Sequence, residues 1–153
     1  MYLDKAFDVN AIRFFTKPIE KERLREGIDR ALERIDNMTK LLSVTNFNNK
    51  LSVTLPVSSI IYIENVGRHT HIVSTEYDFV AEEIFSLLKN KIECEVNYFA
   101  APHQSYFVNL HYVSAHNKQE VTLSYAGNIY SAEMSRRQFV EFDKKMFLQA
   151  KSI

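Results

Sequence analysis

Cysteine occurs once, at Cys94, so no internal disulfide can form and a disulfide-stapled secreted scaffold is excluded. Glycine and proline occur 3 times each, too few for a collagen-like or low-complexity chain. No apolar run is long enough to cross a bilayer as a helix. The opening MYLDKAFDVNAIRFF sets Asp4, Lys5, Asp8 and Arg13 where a secretory signal needs a clean apolar stretch. These absences point to a cytoplasmic protein without a membrane partner. Charge of one sign is lacking too: Lys+Arg is 19 and Asp+Glu is 19. Bulk electrostatics therefore gives no support to a nucleic-acid partner, and any such role must come from local residues. What is present, 46% hydrophobic and 25% charged residues over 153 positions, is the mix of a soluble globular chain with room for one domain and a modest surplus.

The chain changes character along its length. Residues 19–42 read as one helix. Leu24, Ile28, Ala31, Ile35, Met38 and Leu42 alternate steps of four and three, an a/d seam fit either for its own domain or for a second helix. Ahead of it, Ala11–Phe15 reads as a buried strand. Pro18 then favours extended Lys17 and suits the first helical turn. One strand and one helix cannot cover Phe14 and Phe15 on both faces, so a missing element or a second copy is expected. Residues 43–49 read as a polar bridge. After it the period becomes two: Leu51–Leu55, Ile60–Glu64, Thr70–Thr75, Tyr77–Val80 and the β-rich stretch Tyr106–His116. Ala81–Lys91 reads as a short helix with Glu82 and Glu83 at its positive end. Residues 120–134 form a hairpin turning at Gly127, and Arg136–Gln149 reads as a last short helix.

Candidate chemistry is thin. His69 and His71 would share a strand face and seed a zinc site with His111 or His116, but no Cys pair or HExxH accompanies them, and no metal is expected. His103 and Ser105 lack a nucleophile elbow, and Cys94 sits between Glu93 and Glu95, which oppose a thiolate. There is no Gly-rich phosphate loop. Neither an enzyme nor a cofactor is expected. Side chains able to reach base edges stand at turns and strand ends: Arg68 and His69, then Gln104 with His103 and Ser105, then Arg136 and Arg137. Lys144 and Lys145 are candidates for phosphate contacts. Scattered solvated charge is the plainer reading of the same residues.

Three motifs narrow the choice: Ile61-Tyr62-Ile63-Glu64 before a loop, Phe99 with His103-Gln104-Ser105-Tyr106-Phe107-Val108-Asn109-Leu110, and Met134-Ser135-Arg136-Arg137. With them, residues 48–148 resemble the LytTR DNA-binding domain of LytR/AlgR-type bacterial response regulators. Where the family pattern carries Arg two positions before the His, this chain has Ala101. Residues 1–42 are similar to the last strand and last helix of a receiver domain, with Lys17 matching the lysine that pairs with the phosphoryl group. The phosphoacceptor Asp lies upstream of anything in this sequence, so no phosphorylation is expected here.

The resemblance implies a mainly β fold of small antiparallel sheets with a long N-terminal helix and two short helices, divided into residues 1–42 and 43–153. It implies a transcriptional regulator, the effector part of a two-component response regulator, whose interstrand loops read major grooves of double-stranded DNA at paired direct repeats. Arg68, His69, Thr70, Gln104, Arg136 and Arg137 would contact DNA, while His103, Ser105 and Asn109 would hold the loop. A homodimer is expected, and a cognate histidine kinase only for an intact receiver. The alternative is a protein-interaction module that has lost DNA binding.

Overall fold

The computed structural model describes residues 18–38 and 40–151. The expected strand at Ala11–Phe15 and Lys17 lie outside the described residues. The chain divides into two units, the second beginning at Thr39.

In the first unit, helix α1 spans Pro18–Met38. Its charged surface includes a Glu26–Arg30 pair at 3.8 Å, spaced i,i+4 and too solvated to contribute much. On the seam, Leu24 is half-buried, whereas Ile28 is 48% and the neighbouring Leu32 59% exposed. The helix does not continue to Leu42. Leu41 and Leu42 belong to a strand, which overturns both the expected helix end and the polar bridge.

The second unit runs β1 (Leu41–Thr45), β2 (Ser52–Pro56), β3 (Ile60–Val66), β4 (His69–Ser74), β5 (Asp78–Ala81), α2 (Phe85–Glu95), β6 (Phe99–His103), β7 (Tyr106–Asn109), β8 (Val113–His116), β9 (Glu120–Tyr125), β10 (Asn128–Glu133) and α3 (Arg136–Lys151). Five strands form a central antiparallel sheet ordered β5-β4-β3-β7-β6. Strands β10-β9-β8 form a second sheet, and β1-β2 a hairpin.

The run Ile60-Ile61-Tyr62-Ile63 explains the layering. All four side chains are buried, so β3 must be covered on both faces. On one face Ile60, Ile63, Ile72 and Phe107 pack with Leu42, Val44 and Leu55 of the hairpin and with Leu88 and Ile92 of α2. On the other Ile61, Tyr62, Val73 and Val108 pack with Val121 and Leu123 of β9 and Phe142 of α3. A register shift between Ile60 and Tyr62 turns the neighbours Ile61 and Tyr62 to one side.

Helix α2 begins four residues later than expected. Glu82 and Glu83 precede it and serve the hairpin instead: the Glu83 carboxylate accepts from Thr45 N–H at 3.0 Å, and Glu82 pairs with Lys50. The hairpin β9–β10 turns through Ala126 and Gly127, with φ of +50° and +85°, the pattern of a type I′ turn.

Asn109 locks the end of β7. Its side chain is fully buried, donates to Ile60 O at 2.9 Å and accepts from His111 N–H at 2.9 Å. No apolar residue can satisfy both groups, and an unmet buried polar group costs about 1–3 kcal/mol. Asn109→Leu is therefore expected to destabilise the domain by about 2–4 kcal/mol, readable as a lower urea midpoint at unchanged slope.

Candidate nucleic-acid interface

Three connections meet at one edge of the central sheet. In the first, Val66 pairs with His69 and leaves Gly67-Arg68 as a two-residue loop. Gly67 has φ +76° while Arg68 does not have positive φ, as a type II′ turn requires. Arg68 stands exposed at the tip.

The second is built without glycine. His103 pairs with Tyr106 across Gln104-Ser105. The His103 Nδ1 accepts from Ser105 N–H at 3.1 Å, doing for this turn what an Asn side chain does in an Asx turn. Since Nδ1 accepts, the neutral ring carries its proton on Nε2, which faces the Glu133 carboxylate at 3.5 Å. Both ring nitrogens are thus engaged beneath the exposed Gln104.

The third is the start of α3. The Ser135 carbonyl accepts from the Gln138 and Phe139 N–H groups, both at 3.1 Å, so Ser135 caps the helix and Arg136 and Arg137 open it. Both arginines are exposed, and the first turn holds no acidic residue. Two cations at the positive end of a helix dipole oppose local electrostatics. Together with the free N–H groups there, they suit an anion such as a phosphate.

Backbone hydrogen bonds join the three. Asn65 N–H donates to Ser105 O at 2.8 Å, and Ser135 N–H donates to Pro102 O at 2.9 Å. Arg68, Gln104, Arg136 and Arg137 are therefore held on one edge. His69 lies beside them, half-buried, with Nδ1 at 3.3 Å from Glu82 O and its ring against Phe47.

Two sequence expectations need correcting. Thr70 is 0% exposed and its hydroxyl donates to Glu83 O at 2.8 Å, so it supports the strand from beneath and has no surface to offer DNA. Asn109 does hold backbone, but at the end of β7 opposite Gln104, where it bonds the turn before β3 and not the recognition loop. Ser105 acts through its N–H and carbonyl. Lys144 is exposed, and the Lys145 ammonium donates to Phe99 O at 3.5 Å. Ala101 packs against the first core.

Sequence reasoning missed a polar network beside this edge. His71 reaches Asp78 at 2.5 Å and Glu64 at 3.4 Å, so it does not join His69 in a common site. The Tyr106 hydroxyl donates to Glu64 at 3.1 Å. Burial, with the Glu64 carboxylate adding to it, pushes the Tyr106 and Tyr62 hydroxyls each up to about 12. Both phenols stay protonated, and Tyr106 meets the Glu64 carboxylate as a hydrogen-bond donor. Only the strand alternation, which puts Glu64 opposite His71, foreshadowed this contact.

The family model of the LytTr DNA-binding domain matches residues 50–147. This chain belongs to the LytTr DNA-binding domain family. Its LytTr domain thus takes in all three connections of the edge. The transcriptional regulatory protein NatR of Bacillus subtilis is 26% identical over 156 residues, spanning 95% of this chain and 63% of NatR. The chain thus spans under two thirds of the length of that relative. A solved LytTr DNA-binding domain of a putative methyl-accepting/DNA response regulator from Bacillus cereus shares the fold, with TM-score 0.55 and 17% identity over 71% of this chain and 97% of that one.

Removing the His103 acceptor should free the turn. His103→Ala is expected to lower stability by about 1 kcal/mol and to speed amide hydrogen exchange at Ser105. His103→Asn, which can rebuild the bond from a shorter side chain, should restore much of that protection.

Proposed function

We propose that this chain binds double-stranded DNA in a sequence-specific manner and acts as the effector part of a transcriptional response regulator in the cytoplasm. The observation that carries the reading is the pair of backbone bonds, Asn65 to Ser105 and Ser135 to Pro102, because it fixes Arg68, Gln104 and Arg136 relative to one another. Side chains held that way suit the ordered donor and acceptor pattern of a major groove. Arg136 is assigned to a guanine, Gln104 to an adenine, and Arg137 to a phosphate beside the helix N-terminus. The reading requires no catalysis.

Residues 1–42 are proposed to be the end of a receiver domain, with Lys17 its phosphoryl-pairing lysine, and residues 43–153 the DNA-binding part. The likeness to NatR over nearly the whole chain supports a regulator of that kind. A cognate histidine kinase enters only where the rest of a receiver is present. Residues 1–42 hold 9 Lys+Arg against 8 Asp+Glu, and residues 43–153 hold 10 against 11, so neither part carries a strong positive charge and phosphate attraction from one copy is weak. Two copies on paired direct repeats would offset this by joint binding. The exposed Ile28 and Leu32 favour such pairing through α1, and they equally favour the second reading, a module that pairs with protein alone.

Arg136→Ala is expected to weaken binding to the preferred duplex by about 10–100-fold and to flatten the preference at one base pair. Arg137→Ala should weaken all sequences alike and reduce the salt slope by about one. Equal affinity of Arg136→Ala and wild type in a fluorescence titration would remove the assignment. For the dimer, Ile28→Asp is expected to shift a sedimentation profile toward monomer at concentrations where wild type is paired. An unchanged molar mass over the dilution series would exclude pairing through this face.

A further inference from the structure

We propose that the groove between β1 and α2 binds an extended segment of a partner protein, apolar with an acidic residue, which adds to β1 as a further strand. The inference is independent of the DNA-binding reading and concerns the end of the β1–β2 hairpin away from the reading edge.

The backbone phase of β1 carries the argument. Asn46 N–H donates to Leu51 O at 2.8 Å, and Val57 N–H donates to Lys40 O at 2.9 Å. Along β1 the even-numbered residues therefore direct their backbone groups at β2, and alternation turns those of Leu41, Ser43 and Thr45 the other way. Thr45 bears this out: its N–H meets the Glu83 carboxylate at 3.0 Å, and its carbonyl accepts from Glu82 N–H at 2.8 Å. The chain after β5 thus runs beside β1 at Asn46 and Thr45 and then departs into α2. Ser43 and Leu41 are left behind. Among the described residues no strand pairs with this side of β1, and the outward N–H and carbonyl groups of Ser43 and Leu41 meet no partner.

Beside that edge lies a groove of about 510 Å³, within the range of about 300–1,000 Å³ that ligand pockets occupy. Leu41 stands on one side, and Leu87, Lys91 and Cys94 of α2 on the other, with the buried Leu42 also lining it. Leu41 is 63% and Leu87 44% exposed. An open strand edge with an apolar groove alongside has the two parts that strand addition uses. Main-chain bonds give affinity, and every second side chain of the incoming segment enters the groove.

Charge narrows the sequence of that segment. Glu95 is engaged by Lys40 at 3.5 Å, whereas Lys91 makes no ion pair among the described residues. The groove therefore offers one unmatched cation, and an acidic side chain complements it. From Leu41, β1 runs about 13 Å to the loop whose Phe47 lies against His69. The groove and the reading edge sit at opposite ends of one hairpin, so a bound partner leaves the reading edge clear.

Selection of random heptapeptides displayed on phage, with the full chain immobilised, tests this. The enriched sequences should carry two apolar residues two apart and one acidic residue. Cys94 is the single cysteine and reports occupancy: the synthetic consensus peptide should slow its alkylation by iodoacetamide and slow amide exchange at Ser43. Ser43→Pro removes an outward N–H and leaves the bonds to β2 in place. It should weaken the peptide about tenfold at an unchanged urea midpoint. Lys91→Glu, on an exposed helix face, should exchange the acidic preference for a basic one, and it decides the matter if Ser43→Pro does not fold. No enrichment, or a consensus that leaves Cys94 and Ser43 unprotected, would overturn the proposal. So would equal binding by both variants. If no peptide is enriched and Ser43→Pro instead lowers the molar mass of the chain itself, the groove belongs to a second copy and the proposal falls.

Discussion

The constraint on which the second unit depends is the two-sided burial of β3. Four successive apolar side chains leave no face for water, so the central sheet must be sandwiched between the β1–β2 hairpin with α2 and the β8–β10 sheet with α3. The two covers bring their own connections to the sheet edge. The hairpin delivers Phe47 beside His69, and the second sheet, running into α3, delivers Ser135, Arg136 and Glu133 beside His103. The candidate interface is thus a consequence of layering: neither cover could be removed without exposing β3 and losing one wall of the edge.

A chain with 3 glycines has few positions of free positive φ to spend on tight turns. Gly67 and Gly127 take two hairpins. At Gln104-Ser105 a histidine acceptor takes the place of a glycine, and in the β1–β2 loop Asn46 and Asn49 accept from the N–H groups two residues on, at 2.9 Å each. Side chains that make turns are themselves fixed by doing so. This is why His103, whose Nδ1 closes its turn, has a defined tautomer. Such rigidity limits the entropy lost when a contact forms.

Much of this was legible from residue order. Period-two patterning located β2, β3, β4 and β5 to within two residues, and the family motifs marked the edge. The failures have physical causes. Leu42 lies four residues after Met38 and fits the helical seam as well as it fits alternation with Val44; only the hairpin partner Leu55 decides between them. Glu82 and Glu83 resemble a helix start, but tertiary partners Lys50 and Thr45 claim them. Pro102 hid β6, which tolerates it as an edge strand with a register shift. Thr70, by contrast, was readable: it shares the phase of Ile72, and that phase faces the core. The His103 tautomer could not be read at all, since it depends on an N–H group that only the folded turn brings near.

Arg136 and Arg137 bear on what the edge is for. A helix start ordinarily gains from acidic side chains, and here two cations stand in the first turn with none to balance them. Stability alone gives no reason for that choice. The cost is recovered when an anion sits at the helix end, where dipole, N–H groups and guanidinium charges all act on it at once. On the proposed reading, the same residues that weaken the free domain strengthen the DNA-bound one, which would couple binding and folding stability through them. Neutral net charge fits this arrangement. On the proposed reading, a chain without a general attraction to polyanions would rely on the few sites where charge is concentrated, and a preference among DNA sequences would be less diluted by non-specific binding.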